Sequence, residues 1–285
     1  MVIEKRENIA LEGKHQRPIV TDVVYKEDGQ KKSVLIFCHG YKGFKDWGAW
    51  NLMAEAFAKE GLFFVKFNFS HNGGTLENPI DFPDLDAFSQ NTYTKEMDDL
   101  EVVLDWMTSR DNPFVADFDS SRITLMGHSR GGGSAIIKSG EDTRIKKLVT
   151  LAAVSDFGSR FPRDKELEAW KEHGVGYVEN ARTKQKMPHL FNFYLDFKEN
   201  EDRFTIRKAV EKLKIPMLII HGTQDETVSL SNAKDLQRWN PEAEMLILEN
   251  SNHVFEASHP WESSRLPATF LKIVSRVTQF VLKDH

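Results

Sequence analysis

Ser129 stands in Gly127-His128-Ser129-Arg130-Gly131, just after the apolar run Ile123–Met126 and before a helical pattern that starts at Ser134. A serine with glycines two positions away on either side, at a strand-to-helix turn, is forced into a strained backbone that lifts its Oγ clear of the sheet. The flanking residues must be small because strand and helix pass close together there. The helix that follows aims its first N–H groups at any anion forming beside the serine. A serine hydroxyl is a weak nucleophile near neutral pH, so it needs a base, and the base needs a carboxylate to orient it.

In chains with such a turn the acid and then the histidine follow the serine in sequence. Residues 215–228 read as a buried strand and a loop that carries Asp225, five positions past Ile220. Glu226 is the alternative acid, but a neighbouring side chain points elsewhere, so Asp225 is preferred. The run Met245–Leu248 leads into a loop with His253, which follows both the serine strand and the acid strand. His221, which abuts its strand, and His259, which precedes Pro260, are weaker choices. Two N–H donors are needed for an oxyanion: Arg130, next to the serine, and Tyr41, in the loop His39-Gly40-Tyr41-Lys42-Gly43 after the strand Ser33–Cys38. His39 is expected mainly to brace that loop, and is kept among the residues near the substrate.

The elements that must hold these residues can be read from the apolar pattern. Alternation in Val2–Leu11 and Pro18–Tyr25 predicts two opening antiparallel strands. Continuous apolar runs at 33–38, 63–67, 123–126, 148–151, 217–220 and 245–248 fit strands buried on both faces of a parallel sheet. Helical spacing appears at Trp50–Glu60, Lys95–Ser109, Leu230–Arg238 and Pro267–Leu282. Strands alternating with helices predict an α/β fold, a mostly parallel sheet with helices on both faces. Residues 1–154 and 213–285 form the expected core. Residues 155–212 break the rhythm and predict a small helical cap. Its aromatics Trp170, Tyr177, Phe191, Phe193 and Tyr194, with Phe44, Trp47 and His71 on core loops, are the candidates for a substrate pocket.

Bulk composition narrows the partners. With 43 acidic against 38 basic side chains there is no basic footprint for nucleic acid. A single cysteine, Cys38, excludes an internal disulfide framework and a cysteine zinc site. No apolar run approaches the ~18 residues of a membrane span, and the charged start does not read as a signal peptide, so a cytoplasmic protein is expected.

HG at 39–40, GHSRGG at 127–132, HGTQDETV at 221–228 and NHVF at 252–255 resemble the α/β-hydrolase superfamily. The segments HGYKGFKDWG at 39–48 and FNFSHNG at 67–73 add to this. The resemblance is strongest to bacterial carboxylesterases of the cinnamoyl or feruloyl esterase type. It extends to dienelactone-hydrolase-like proteins and to peptidase-like proteins without a propeller. It covers nearly the whole chain, with 155–212 the most divergent part. It implies an eight-stranded sheet, a Ser-His-Asp triad, no cofactor, and an inserted cap that shapes the acyl pocket. Dienelactone hydrolases use a cysteine nucleophile; here the elbow holds serine and Cys38 reads as a core filler.

The function expected is therefore a carboxylesterase-like serine hydrolase acting on small acyl or aryl esters, with a small-molecule substrate, no metal, no nucleic acid and no membrane; a homodimer stays open. Amide or peptide hydrolysis and acyl transfer keep the same triad. A peptidase of the prolyl type carries a large N-terminal propeller, and only about thirty residues precede the core strand here. A non-catalytic small-molecule binder on the same scaffold would tolerate loss of a triad residue.

Overall fold

The computed structural model describes residues 2–283; Met1, Asp284 and His285, assigned above to the core, lie outside the described residues. The elements run β1 (Val2–Leu11), β2 (Ile19–Glu27), β3 (Lys32–Cys38), α1 (Trp50–Lys59), β4 (Phe63–Phe67), α2 (Leu85–Ser89) and α3 (Tyr93–Thr108). Then come β5 (Phe118–His128), α4 (Arg130–Glu141), β6 (Ile145–Leu151), α5 (Asp164–His173), β7 (Val175–Glu179) and β8 (Lys186–Leu190). The chain closes with α6 (Asn192–Glu199), α7 (Ile206–Lys212), β9 (Met217–Gly222), α8 (Leu230–Trp239), β10 (Glu244–Leu248) and α9 (Ala268–Leu282).

Eight strands form one sheet in the order β1-β2-β4-β3-β5-β6-β9-β10. β1 and β2 are antiparallel to their neighbours, and all pairings from β4 to β10 are parallel. The eight-stranded, mostly parallel sheet with helices on both faces is thus present. Successive residues of β3 feed opposite layers, as the strand period of two requires. Val34, Ile36 and Cys38 pack with Met97, Leu100 and Leu104 of α3 and Ile136 of α4. Leu35 and Phe37 pack with Met53 and Phe57 of α1 and Ile273 and Val277 of α9. With both faces covered, the runs stay mostly apolar, with Lys66 of β4 the charged exception.

After β3 the chain first steps to β4 on one side, then crosses to β5 on the other. The C-terminal ends of β3 and β5 therefore border the point where strand order reverses, where open α/β sheets leave a crevice. Cys38 pairs in register with Gly127, so the loop after β3 starts beside the serine turn.

The segment 155–212 differs in part from the helical cap expected. It contains α5, α6 and α7, but also a two-stranded antiparallel hairpin of β7 and β8. Along β8 only Met187 and His189 are buried, and Tyr177 and Val178 of β7 are exposed, so neither strand shows a continuous apolar run. At the end of the segment, α7 lies on α4: an added Cβ at Gly140 would touch Ala209, and one at Gly133 would meet Ile206. α7 is thus a flanking helix of the sheet. Among the described residues no helix is long and apolar enough to cross a membrane.

Three buried charges and the partly buried Asp46 fasten the loop after β3 to the sheet. Lys45 Nζ donates to Asp22 at 2.7 Å and to Asp46 at 2.6 Å. Lys66 of β4 bonds the same two carboxylates. Asn68 Oδ1 accepts from the Lys45 N–H at 2.7 Å. Two cations against two anions leave the quartet neutral, which is what makes its burial tolerable. Removing one carboxylate leaves two ammonium groups facing a single acid in a dry site. Asp22→Ala is expected to lower the unfolding free energy by about 3–5 kcal/mol in urea denaturation; a loss under about 1 kcal/mol would show that the quartet is dispensable to the fold.

Candidate active site

The serine turn is built by close backbone approach. A Cβ on Gly131 would lie 2.2 Å from the His39 carbonyl oxygen, and one on Gly127 would lie 2.2 Å from that of Gly131. Only glycine fits either place, which is why α4 starts at Arg130 through three glycines, four residues earlier than its apolar pattern suggests. Ser129 itself adopts φ 55° and ψ −122°, a conformation unfavourable for a residue with a Cβ. Its N–H donates to the Leu151 carbonyl at 2.9 Å, and its carbonyl accepts from the N–H groups of Gly132, Gly133 and Val154 at 3.0–3.3 Å. Those bonds hold the strained residue in place.

Loops after three strands bring the polar chain together. His253, past the end of β10, sets Nε2 3.0 Å from Ser129 Oγ. Its Nδ1 lies 2.7 Å from Oδ2 of Asp225, on the loop after β9. An ionised carboxylate can only accept, so Nδ1 carries the proton and Nε2 is left to accept from the serine hydroxyl. The other Asp225 oxygen accepts from the N–H groups of Thr227 and Val228 at 2.9 and 2.8 Å. Burial alone would raise the Asp225 pKa, but hydrogen bonds from His221 and His253 outweigh it and hold the carboxyl well below the usual range. Glu226 is exposed, which leaves Asp225 as the acid in contact with His253.

Two further imidazoles support this chain. His221 Nε2 lies 2.7 Å from the Val228 carbonyl and 3.3 Å from Asp225 Oδ2, so it braces the acid loop and does not reach the serine. His128 Nε2 lies 2.9 Å from the His253 carbonyl, and the two rings are 4.8 Å apart. Burial pushes the His128 pKa down to about 3, keeping it a neutral donor to that carbonyl.

On the other side of Ser129 lies the loop after β3. A Cβ on Gly40 would come within 2.9 Å of the serine Cβ. Among the described residues, neither the Tyr41 nor the Arg130 N–H is matched to a protein acceptor. The Arg130 guanidinium pairs with buried Glu96 and lies 4.8 Å from the Tyr41 ring centre, with Tyr93 and Phe193 at 5.7 and 5.6 Å. Glu96 also accepts from Ser134 Oγ and Asn91 Nδ2 at 3.0 and 2.9 Å.

The remaining pocket candidates fall elsewhere. His39 is buried, with Nδ1 bonded to the Gly40 carbonyl at 2.9 Å; burial lowers its pKa to about 4. It braces the loop. Phe44 is buried against Phe82 and His259, and Trp47 stacks toward His259 and Trp50, so both belong to packing behind the loop. His71 is buried and bonded to Ser70 Oγ. Trp170 is buried, its Nε1 donating to the His189 carbonyl at 2.8 Å. Tyr177, at 62% exposure, faces solvent. Phe191 and Tyr194 are partly buried against each other and Trp170. Tyr194 also lines a cleft of about 690 Å³ with Phe161 and Trp239, but Ser129, Asp225 and His253 are not among its walls. Cys38 is buried, and desolvation pushes its thiol pKa up, as suits a core filler. Among the described residues, no three His, Cys, Asp or Glu side chains are grouped to hold a metal ion.

Glu96, His128 and His189 escaped the sequence reading, and His221 was weighed there only as a weaker base. Glu96 had a signal: an acid on the apolar face of α3, between Tyr93 and Met97. His189 had none, because its partners lie in distant segments.

The model of the prolyl oligopeptidase family matches residues 54–275. Monoacylglycerol lipase ABHD6 of Homo sapiens is 29% identical over 93 residues, 31% of this chain and 27% of that protein. The chain thus spans about a quarter of the length of such relatives. Non-heme chloroperoxidase CPO-A1 of Kitasatospora aureofaciens is 23% identical over 266 residues, 81% of this chain and 88% of that protein. The structure of Est1E from Butyrivibrio proteoclasticus with ferulic acid bound superimposes with a TM-score of 0.71 at 16% identity, covering 96% and 98% of the two chains. At that identity the likeness is one of fold.

Three imidazoles around the site are held neutral by burial: His39 at about 4, and His128 and His189 at about 3. In the unfolded chain each returns to about 6.5. Between about pH 6.5 and 4 the unfolded state therefore binds protons that the folded state refuses, and stability falls as pH falls. Each histidine contributes a slope of about 1.4 kcal/mol per pH unit. Asp99, pushed up to about 7 by burial, opposes one of them by taking its proton early in the folded state. Urea denaturation at pH 7.5 and pH 5 should show a net loss of stability at the acid end; equal values would contradict the buried neutral state of these rings.

Proposed function

The chain belongs to the prolyl oligopeptidase family, a family of hydrolases, and we propose that it is a serine hydrolase cleaving carboxylic esters of small acyl or aryl groups. The observation that carries this reading is the run of two contacts from Asp225 through His253 to Ser129, 2.7 and 3.0 Å. In the proposed reaction Ser129 Oγ attacks the ester carbonyl while His253 Nε2 takes its proton. The Tyr41 and Arg130 N–H groups receive the charge that develops on the carbonyl oxygen. The alcohol departs with the proton from His253 and leaves an acyl group on Ser129. Water, deprotonated by the same imidazole, then attacks the acyl carbon; the bond to Ser129 Oγ breaks, the acid departs and His253 returns the proton to Oγ. Asp225 keeps the proton of the resting imidazole on Nδ1 and stabilises the imidazolium between proton transfers.

The ester preference is supported by the resemblance of the loop motifs to carboxylesterases and by the fold shared with Est1E, a protein solved with ferulic acid bound. The family's own description favours a second reading, hydrolysis of amide or peptide bonds by the same three residues.

A panel of short acyl, long acyl and aryl esters beside matched amides separates the two. At least one short or aryl ester is expected to turn over, with Ser129→Ala losing roughly 10³-fold or more in kcat. Amide cleavage without ester cleavage would give the case to the second reading. Activity that survives in Ser129→Ala would defeat both.

A further inference from the structure

Two consecutive residues of the loop that carries the proposed oxyanion donor are tied to the β7–β8 hairpin. Tyr41 Oη lies 2.7 Å from His189 Nε2 on β8. Lys42 Nζ donates to the Glu179 carbonyl of β7 at 3.1 Å. We propose that the hairpin is a clasp that sets the position of the Tyr41 N–H, with His189 as a positioning residue acting through the Tyr41 hydroxyl. This rests on the hydrolase reading above and assigns the hairpin a part in it.

The surroundings of His189 show what the imidazole is for. Its ring lies among Phe88 at 4.9 Å, Phe193 at 5.4 Å and Tyr41 at 5.5 Å. An apolar ring would fill this space without cost. The imidazole instead buries an Nδ1 that has no hydrogen-bond partner among the described residues. Such a nitrogen is a penalty in a dry site, and the one side-chain bond that offsets it is the bond to Tyr41. Desolvation keeps the ring neutral, so that bond is between neutral groups. Trp170 of α5 holds the strand itself through the His189 carbonyl.

The loop needs an external hold. Lys42 sits at φ 53°, in the left-handed region that a lysine does not adopt readily. Gly40 packs against the nucleophile so closely that any movement of the loop changes the space beside Ser129. The Tyr41 ring, pinned by His189 at its hydroxyl and by Arg130 on its face, fixes one proposed donor residue against the other.

The test is a double-mutant cycle on an aryl ester, with fluorophosphonate labelling of Ser129 in parallel. His189→Phe and Tyr41→Phe each remove the bond and keep the Tyr41 N–H. Each is expected to lower kcat about 10-fold with KM changed less than about 2-fold, and the double variant to lose no more than either single one. His189→Gln, whose amide can reach the same hydroxyl, should recover most of the rate. Lys42→Met cuts the second tie, should cost kcat about 3-fold, and carries the test if His189→Phe does not fold. Additive losses, a rise in KM with kcat unchanged, or a loss in Tyr41→Phe without one in His189→Phe would each overturn the clasp. A wild-type protein that neither cleaves the ester nor takes the label fails the hydrolase reading itself.

Discussion

The first turn of α4 lies directly on the end of β3, and everything at the site depends on that contact. Because the Gly131 backbone rests against the carbonyl oxygens of Cys38 and His39, the serine turn and the loop after β3 cannot move independently. The contact sits where strand order reverses, so the two segments meet through sheet topology and not through sequence proximity. Its cost is a serine held at positive φ, and the strain is spread over bonds from β6 and α4 to the Ser129 backbone.

Around that contact the protein uses buried imidazoles as struts. His39, His128 and His221 each bond a backbone carbonyl, and each is buried. His39 and His128, kept neutral by burial, each donate one directed bond and add no charge to compete with the Asp225–His253 pair. The Arg130 side chain, on the residue next to the serine, is compensated by Glu96 within the core. The Asp225 carboxylate, held well below its usual range, therefore stays ionised beside His253.

The core fold was legible because parallel strands buried on both faces leave continuous apolar runs, and Ser33–Cys38 and Phe63–Phe67 mark β3 and β4 almost to the residue. Ser129 was legible because its glycines are demanded by geometry, and Asp225 and His253 because each follows such a run. Other features left no comparable trace. The start of α4 is hidden by glycines that the close approach requires, and α2 is too short to show a period. β8 buries only Met187 and His189 and β7 buries no side chain, so neither leaves an apolar run. Pocket residues were the least legible. Phe44 and Trp170 are aromatic because they fill core, and an aromatic that packs reads the same in sequence as one that binds.

The stretch between β6 and β9 begins and ends on hydrogen-bonded neighbours, since Leu148 pairs with Met217. For an excursion closed in this way, doubling its length costs only about 0.6 kcal/mol in chain entropy. Relatives of different size can therefore swap this region while the reactive side chains keep their places. A transplanted excursion would carry one obligation: it must offer the tyrosine hydroxyl at position 41 a new hydrogen-bond partner, or a different residue must stand there.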